Sequence, residues 1–293
     1  MSFSSEVKEE LSKLSNLSNK LLVKSEMFGY LNSNNISVEK GKIKFSTENE
    51  YNINRFSKLL NNLEINQYNI DILGKIFNIT IQKKEADILK SIYDNYKIEE
   101  DEILEKAFVR GTFLGSGSIN NPKSKYHIEI ILTNKGIAEK ELEILKKYNI
   151  IFKMLKSESN FLENGLNSKI SIYSKDGEEI SKFLAFIGAS KSVLKFEEIR
   201  VYRDMRNNVN RMVNCETANL AKTVDAAVKQ INAINKLKEN GKFNDLPDNL
   251  KELANLRLKN PEATLVELGK MLKVPIGKSG VNYRMKTIIN MSL

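Results

Sequence analysis

One nine-residue pattern occurs twice, and that repetition limits the possible folds more than any other feature of this chain. Met27-Phe28-Gly29-Tyr30-Leu31-Asn32-Ser33-Asn34-Asn35 returns as Val109-Arg110-Gly111-Thr112-Phe113-Leu114-Gly115-Ser116-Gly117, with Gly29 and Gly111 at the same point. Each run is expected to end a helix and to lead into a β-rich segment closed by threonine. In the first copy that segment is Lys42-Ile43-Lys44-Phe45-Ser46-Thr47, and in the second it is Ile128 to Leu132 with Thr133. An amphipathic helix follows in both, through Ile53, Phe56, Leu59, Leu60 and Leu63, then through Ile137, Leu142 and Leu145. Thr47 precedes Leu59 by twelve positions, as Thr133 precedes Leu145. The second copy is four residues longer between glycine and threonine, and the turn-rich Asn120-Asn121-Pro122-Lys123-Ser124 can hold the difference.

Two more strands follow in each copy. Tyr68 to Leu73 and Ile76 to Ile81 are joined across Gly74-Lys75, a short hairpin connection. Their counterparts are Ile150 to Leu155 and Lys169 to Tyr173, with Asn164-Gly165 in the loop between. Helices at about 85–95 and 176–186 close the units. The pattern predicts an α+β duplicate, αββαββα, with the two leading helices side by side beneath a shared sheet. Glycines at 29 and 111 permit close backbone approach there.

The last third reads as all-α. Arg203 to Arg211 is basic and Asn-rich, a linker or the start of a long helix, and Arg200, Arg203, Arg206 and Arg211 are candidate phosphate contacts. Leu220, Val224, Ala227, Ile231 and Ile234 mark one amphipathic helix, which Gly241 ends. Pro247 begins another, with Leu250, Leu253, Ala254 and Leu258 inward, and Asn260-Pro261 stops it. Thr264-Leu265-Val266-Glu267 has the form of a capping box. Pro275 in Val274-Pro275-Ile276-Gly277 breaks the helix it starts.

A final helix from about Lys278 to Met291 buries Val281, Met285 and Ile288. That leaves Ser279, Asn282, Tyr283, Lys286 and Asn290 on the opposite face, with Lys278 and Arg284 on its flanks. Short helix, tight turn and basic polar helix is helix-turn-helix organisation, with the second helix sized for a major groove. Asn282 suits a base edge; Lys278, Arg284 and Lys286 suit phosphates or guanine.

Charge agrees with this division. Residues before Gly188 carry 27 basic and 26 acidic side chains, whereas those from Gly188 onward carry 19 and 11. A polyanion should therefore meet the C-terminal part. With one cysteine, Cys215, and one histidine, His127, an internal disulfide is excluded and a Cys/His zinc site lacks ligands. His127 lies in an expected strand and is read as a packing residue. No apolar run is long enough to span a bilayer, and the acidic start is unlike a signal peptide, so cytoplasmic residence is expected.

The repeated run resembles the LAGLIDADG homing-endonuclease signature. Gly29 and Gly111 fall on its first glycine, and Asn34 and Ser116 fall on its acidic position. Cleavage by that route needs a carboxylate from each helix to hold a divalent metal. The resemblance therefore implies a degenerate scaffold with no catalytic residue, no metal and no cofactor. The competing reading, a metal-dependent endonuclease, would need acids from elsewhere, such as Glu26 or Asp71.

Several runs together resemble the WhiA family: Ser2 to Leu11, Arg110-Gly111-Thr112-Phe113-Leu114 with Gly117-Ser118-Ile119, and Asn214-Cys215-Glu216-Thr217-Ala218-Asn219. Lys222-Thr223-Val224 and Lys278-Ser279-Gly280-Val281-Asn282 with Arg284 belong with them, while Gly277 and Tyr283 depart from the family's usual Ser and His. This resemblance implies a bacterial regulator linked to sporulation in filamentous actinobacteria and to cell division and chromosome segregation in other Gram-positive bacteria. Its helix-turn-helix would be similar to the promoter-reading module of sigma factors.

The expected organisation is a degenerate LAGLIDADG-like domain over 1–190, a linker or helix over 191–213, and an all-α helix-turn-helix domain over 214–293. The expected function is sequence-specific binding of double-stranded DNA, cytoplasmic and nucleoid-associated, through Lys278, Ser279, Asn282, Tyr283, Arg284 and Lys286. Expected protein partners are a sigma factor, RNA polymerase or another transcription regulator, with no membrane. A docking protein whose duplicated domain recruits a partner, with DNA binding secondary, is the alternative.

Overall fold

Each copy of the repeat folds as a leading helix, a pair of strands, a helix, a second pair of strands and a closing helix. The computed structural model describes residues 2–15, 17–39, 41–156 and 169–293. It divides into two compact units, Met1–Asp204 and Met205–Leu293. In the first unit a short helix, α1 (Phe3–Ser12), precedes the repeat. The first copy then runs α2 (Lys20–Leu31), β1 (Ile36–Glu39), β2 (Lys42–Thr47), α3 (Glu50–Asn62), β3 (Tyr68–Leu73), β4 (Ile76–Ile81) and α4 (Lys83–Asn95). The second runs α5 (Glu102–Ser116), β5 (Ser118–Ile119), β6 (Ile128–Leu132), α6 (Lys135–Lys147), β7 (Lys153–Lys156), β8 (Ile170–Ser174) and α7 (Gly177–Phe186).

Local chemistry starts these helices where the periodicity does. Asn49 and Asn134 occupy equivalent caps, their side-chain oxygens accepting from Asn52 N–H and from Gly136 and Ile137 N–H. Asp101 and Asp176 cap α5 and α7 in the same way. Alternation then sets the strands: Ile43, Phe45, Ile79 and Ile81 are buried in the first copy, and Ile128, Ile130, Leu132, Ile170 and Ile172 in the second. Both belong to one core with Phe56, Leu59, Phe113, Leu145 and Phe183.

Instead of a shared sheet, each copy closes its own four-stranded antiparallel sheet. The strand orders correspond, β1-β2-β4-β3 and β5-β6-β8-β7. Among the described residues the strand regions of the two copies are joined by an isolated bridge between Ser33 and Leu132, backed by bonds from Asn34 N–H to the Ile131 carbonyl (3.1 Å) and from Thr133 N–H to the Asn32 carbonyl (3.3 Å). A continuous sheet would need two free edges of matching length. β5, one edge of the second sheet, has only two residues and is too short to carry a continuous ladder.

β7 also begins later than the expected Ile150 to Leu155. Asn149 takes a positive φ of 58° and Ile150 N–H closes onto the Leu145 carbonyl, so these residues end α6. The expected Asn164-Gly165 loop lies outside the described residues. Asn121 forms the anticipated turn, its side-chain oxygen accepting from Lys123 N–H and its carbonyl from Ser124 N–H.

The long helix α8 (Ser190–Glu239) contains the division between the units. A 3-10 turn (Lys242–Asp245), α9 (Asp248–Lys259), α10 (Leu265–Met271) and α11 (Lys278–Met291) complete the second unit. Its separate core comprises Ile234, Leu237, Leu250, Leu253, Leu268, Val281, Met285 and Ile288, among others. The expected stripe on α8 is only half used. Ala227 and Ile234 are buried, but Leu220 is 65% and Val224 51% exposed, and this core takes in α8 only from Ile234. Among the described residues, no helix is long and apolar enough to cross a membrane.

Candidate nucleic-acid interface

The two signature helices pack as the glycines predict. A Cβ on Gly29 would overlap the Phe108 carbonyl oxygen and stand 2.7 Å from Thr112 N. One on Gly111 would overlap the Glu26 carbonyl oxygen. These clashes are with backbone, so only glycine lets α2 and α5 come this close. Asn35 Nδ2 donates to the Gly115 carbonyl (2.7 Å) and Asn52 Nδ2 to the Leu114 carbonyl (2.6 Å), which occupies carbonyls at the end of α5.

Asn34 and Ser116 do come together at the end of this helix pair. Ser116 Oγ and Asn34 N–H both donate to the Ile131 carbonyl, at 2.5 Å and 3.1 Å. The donor set there is neutral, and part of it already serves the backbone, so it does not fit a divalent cation that needs anionic oxygens. Glu26, the alternative acid, is 1% exposed and receives Arg55 Nε and a second guanidinium nitrogen at 2.7 Å and 2.8 Å, with Arg110 at 3.5 Å. It balances buried cations and is not available to a metal. Asp71 stands exposed on the edge strand β3, a different element from Glu26. Among the described residues no group of three or more His, Cys, Asp or Glu side chains is placed to hold a metal ion.

Two of the candidate phosphate contacts have other work. The Arg203 guanidinium lies 4.2 Å from the Tyr126 ring centroid and donates to the Pro122 carbonyl (2.8 Å), while Arg200 pairs with Glu197. They hold the 120–126 loop and the start of α8. Arg206 and Arg211 are exposed. His127 borders β6, with Nε2 3.7 Å from Glu129 and its ring 6.1 Å from Tyr173.

In the second unit the capping box forms: Thr264 N–H donates to Glu267 Oε2 (2.7 Å), and Glu267 N–H to Thr264 Oγ1 (3.3 Å). Both partners hold α10 at its start. The turn folds tightly back on α10, since Ile276 N–H donates to the Gly269 carbonyl (3.2 Å) and a Cβ on Gly269 would overlap the Ile276 carbonyl oxygen. Gly269 was not singled out from sequence. A glycine inside a seven-residue helix, facing a proline-containing turn, is the signal that could have found it.

With the turn fixed, Val281, Met285 and Ile288 point into the core. Lys278, Ser279, Asn282, Tyr283, Lys286 and Asn290 are exposed, Tyr283 at 74%, and Arg284 is half-buried. Among the described residues none of Lys278, Arg284 and Lys286 has an acidic partner. The outward side of α11 is therefore a rigid row of hydrogen-bonding groups between unneutralised cations.

Comparison with known proteins places this geometry. Residues 209–292 match the WhiA C-terminal HTH domain, and residues 105–206 match the WhiA LAGLIDADG-like domain. The "Probable cell division protein WhiA" of Clostridium tetani (strain Massachusetts / E88) is 38% identical over 314 residues, which cover 98% of this chain and 96% of that protein. The chain belongs to the WhiA family. The crystal structure of full-length WhiA from Thermatoga maritima superposes with a TM-score of 0.61 at 29% identity, covering 100% of this chain and 98% of that one. The N-terminal LAGLIDADG domain of WhiA, solved separately, covers 64% of this chain and 92% of its own length, with a TM-score of 0.52 at 25% identity. The architecture is thus that of WhiA: a LAGLIDADG-like duplicate followed by a helical helix-turn-helix domain. Asn34 and Ser116 are both uncharged, and the Clostridium tetani relative carries the name of a cell division protein.

Proposed function

We propose that this WhiA-family chain is a sequence-specific DNA-binding regulator, cytoplasmic and nucleoid-associated, that acts in cell division, chromosome segregation or sporulation. What carries the reading is the outward face of α11. Asn282 and Ser279 offer directional hydrogen bonds to base edges, Tyr283 adds an exposed ring, and Lys278, Arg284 and Lys286 supply positive charge with no acidic partner. α11 enters the major groove while the capping box and the Gly269–Ile276 contact keep its angle fixed. The LAGLIDADG-like unit cuts nothing and serves as a docking face for a sigma factor, RNA polymerase or another regulator. Its nearly balanced charge, 27 basic against 26 acidic residues before Gly188, favours protein over polyanion.

The test is footprinting of the full chain on its target. Asn282→Ala with Lys286→Ala, both on the exposed side of a helix held by other residues, should abolish the specific footprint without lowering thermal stability. A base-reading contact is worth roughly 1–3 kcal/mol, so the pair should cost at least tenfold in specific affinity. Specific binding retained by the double variant would move the reading surface elsewhere.

A further inference from the structure

From 204 to 226 every side chain of α8 is exposed. Among the described residues no ion pair joins two side chains of this stretch, so its helical form has little local support. In proteins most helical stability comes from packing of an amphipathic face, and this stretch lacks that support. The face in question is apolar, since Tyr202, Met205, Val209, Met212, Val213 and Leu220 are all more than half exposed.

We propose that residues 202–220 of α8 pair with the same segment of a second copy of this chain as an antiparallel two-stranded coiled coil. The seam is Tyr202, Arg206, Val209, Val213, Glu216 and Leu220, at alternating steps of four and three, the spacing that keeps a stripe on one side of a supercoiled helix. Reversed about Arg211, the seam complements itself. Tyr202 meets Leu220, Val209 meets Val213, and Arg206 meets Glu216. In a parallel pair Arg206 would face Arg206 and Glu216 would face Glu216, so the two charged seam positions choose the direction. Met205 and Met212 widen the stripe on one flank.

The exposed parts of these apolar residues amount to on the order of 700 Å² per copy, close to the ~800 Å² that one side of a standard interface buries. A nucleic acid is a poor occupant of this seam, because Glu216 sits within the stripe. The pairing does not depend on the DNA reading of α11.

Sedimentation equilibrium of the full chain, at micromolar concentration and without DNA, tests it. The wild type should sediment as two 33.4 kDa chains. Arg206→Glu and Glu216→Arg each place like charges opposite one another, and each should raise the dimer dissociation constant at least tenfold. Combined, they should restore the wild-type constant to within about threefold. Val209→Asp should give single chains whose helical circular dichroism is reduced, because the uncovered stretch loses its support, while the thermal melt of the rest of the chain is unchanged. A wild type that stays single overturns the proposal, including one whose α8 amides gain protection only when DNA or another protein is added. So does a dimer indifferent to Glu216→Arg, or a double variant that fails to recover.

Discussion

Glu26 illustrates how much a single side chain's surroundings decide. By residue type it could hold a metal, but two arginines enclose it on the buried α2–α5 face. Removing one member of a buried pair strands the other charges, at a cost of about 3–5 kcal/mol. Glu26→Ala should therefore lower the unfolding free energy of the full chain by that amount in urea titration, and a loss below about 1 kcal/mol would contradict the arrangement. Glu141 is the opposite case. It is fully buried, burial raises its carboxyl to about 8, and its Oε2 has no hydrogen-bond partner. Thr112 Oγ1 lies 2.9 Å from Glu141 Oε1 and 2.8 Å from the Val109 carbonyl. With one proton to give, that hydroxyl can serve the carbonyl and accept from a neutral Glu141. The unfolded chain releases this proton near 4.5 and the folded chain keeps it to about 8. The contribution of Glu141 to stability should thus be full below 4.5 and fall as pH rises towards 8, by roughly 1.4 kcal/mol per unit at most. Glu141→Gln should flatten that slope and leave the protein more stable than wild type at pH 8; equal slopes in urea melts across this range would refute the assignment.

For whole elements, the contact between α2 and α5 is decided by two opposing terms. Alanine is favoured over glycine inside a helix by about 1 kcal/mol. Overpacking usually costs about 1–3 kcal/mol, and at Gly111 the obstacle is the Glu26 backbone, which cannot rotate away. The clash wins, and Gly111→Ala should destabilise the full chain by about 2 kcal/mol. Gly136→Ala, at the start of α6, meets only the Asn134 side-chain oxygen, at 3.3 Å, and should leave stability within about 1 kcal/mol of wild type. Comparable melting temperatures for the two variants would show that the glycines do not set the helix approach. The same logic applies to α10 and α11, where Gly269 allows the turn to fold back and the capping box fixes the start.

At the level of the molecule, nuclease chemistry and DNA reading would fall to different units. The full chain with its target and Mg²⁺ or Mn²⁺ should leave both strands intact; breaks that EDTA abolishes would reinstate the endonuclease reading. Affinity should fall steeply with salt, because each phosphate neutralised adds close to one unit to the log–log slope. Lys286→Ala should reduce that slope by about one if this side chain meets a phosphate, and leave it unchanged if it reads a base.

Chemistry between near neighbours in the chain accounts for the elements and for which residues line the exposed side of α11. Helical and strand spacing, capping residues and turn glycines act between near neighbours, so β3 and β4 fall where the alternation puts them, and Val281, Met285 and Ile288 mark the buried side of α11. That Asn34 and Ser116 carry no carboxylate is likewise a fact of residue type. Tertiary structure decided whatever joins distant parts of the chain. Glu10 of α1 caps the start of α8 through Lys191 N–H, Ser192 N–H and the Ser192 hydroxyl. Arg55 crosses to Glu26, Arg203 leaves the phosphate-contact set for Tyr126, and one expected sheet becomes two. No periodicity records these pairings, because their energy comes from groups that become neighbours only after the chain has folded.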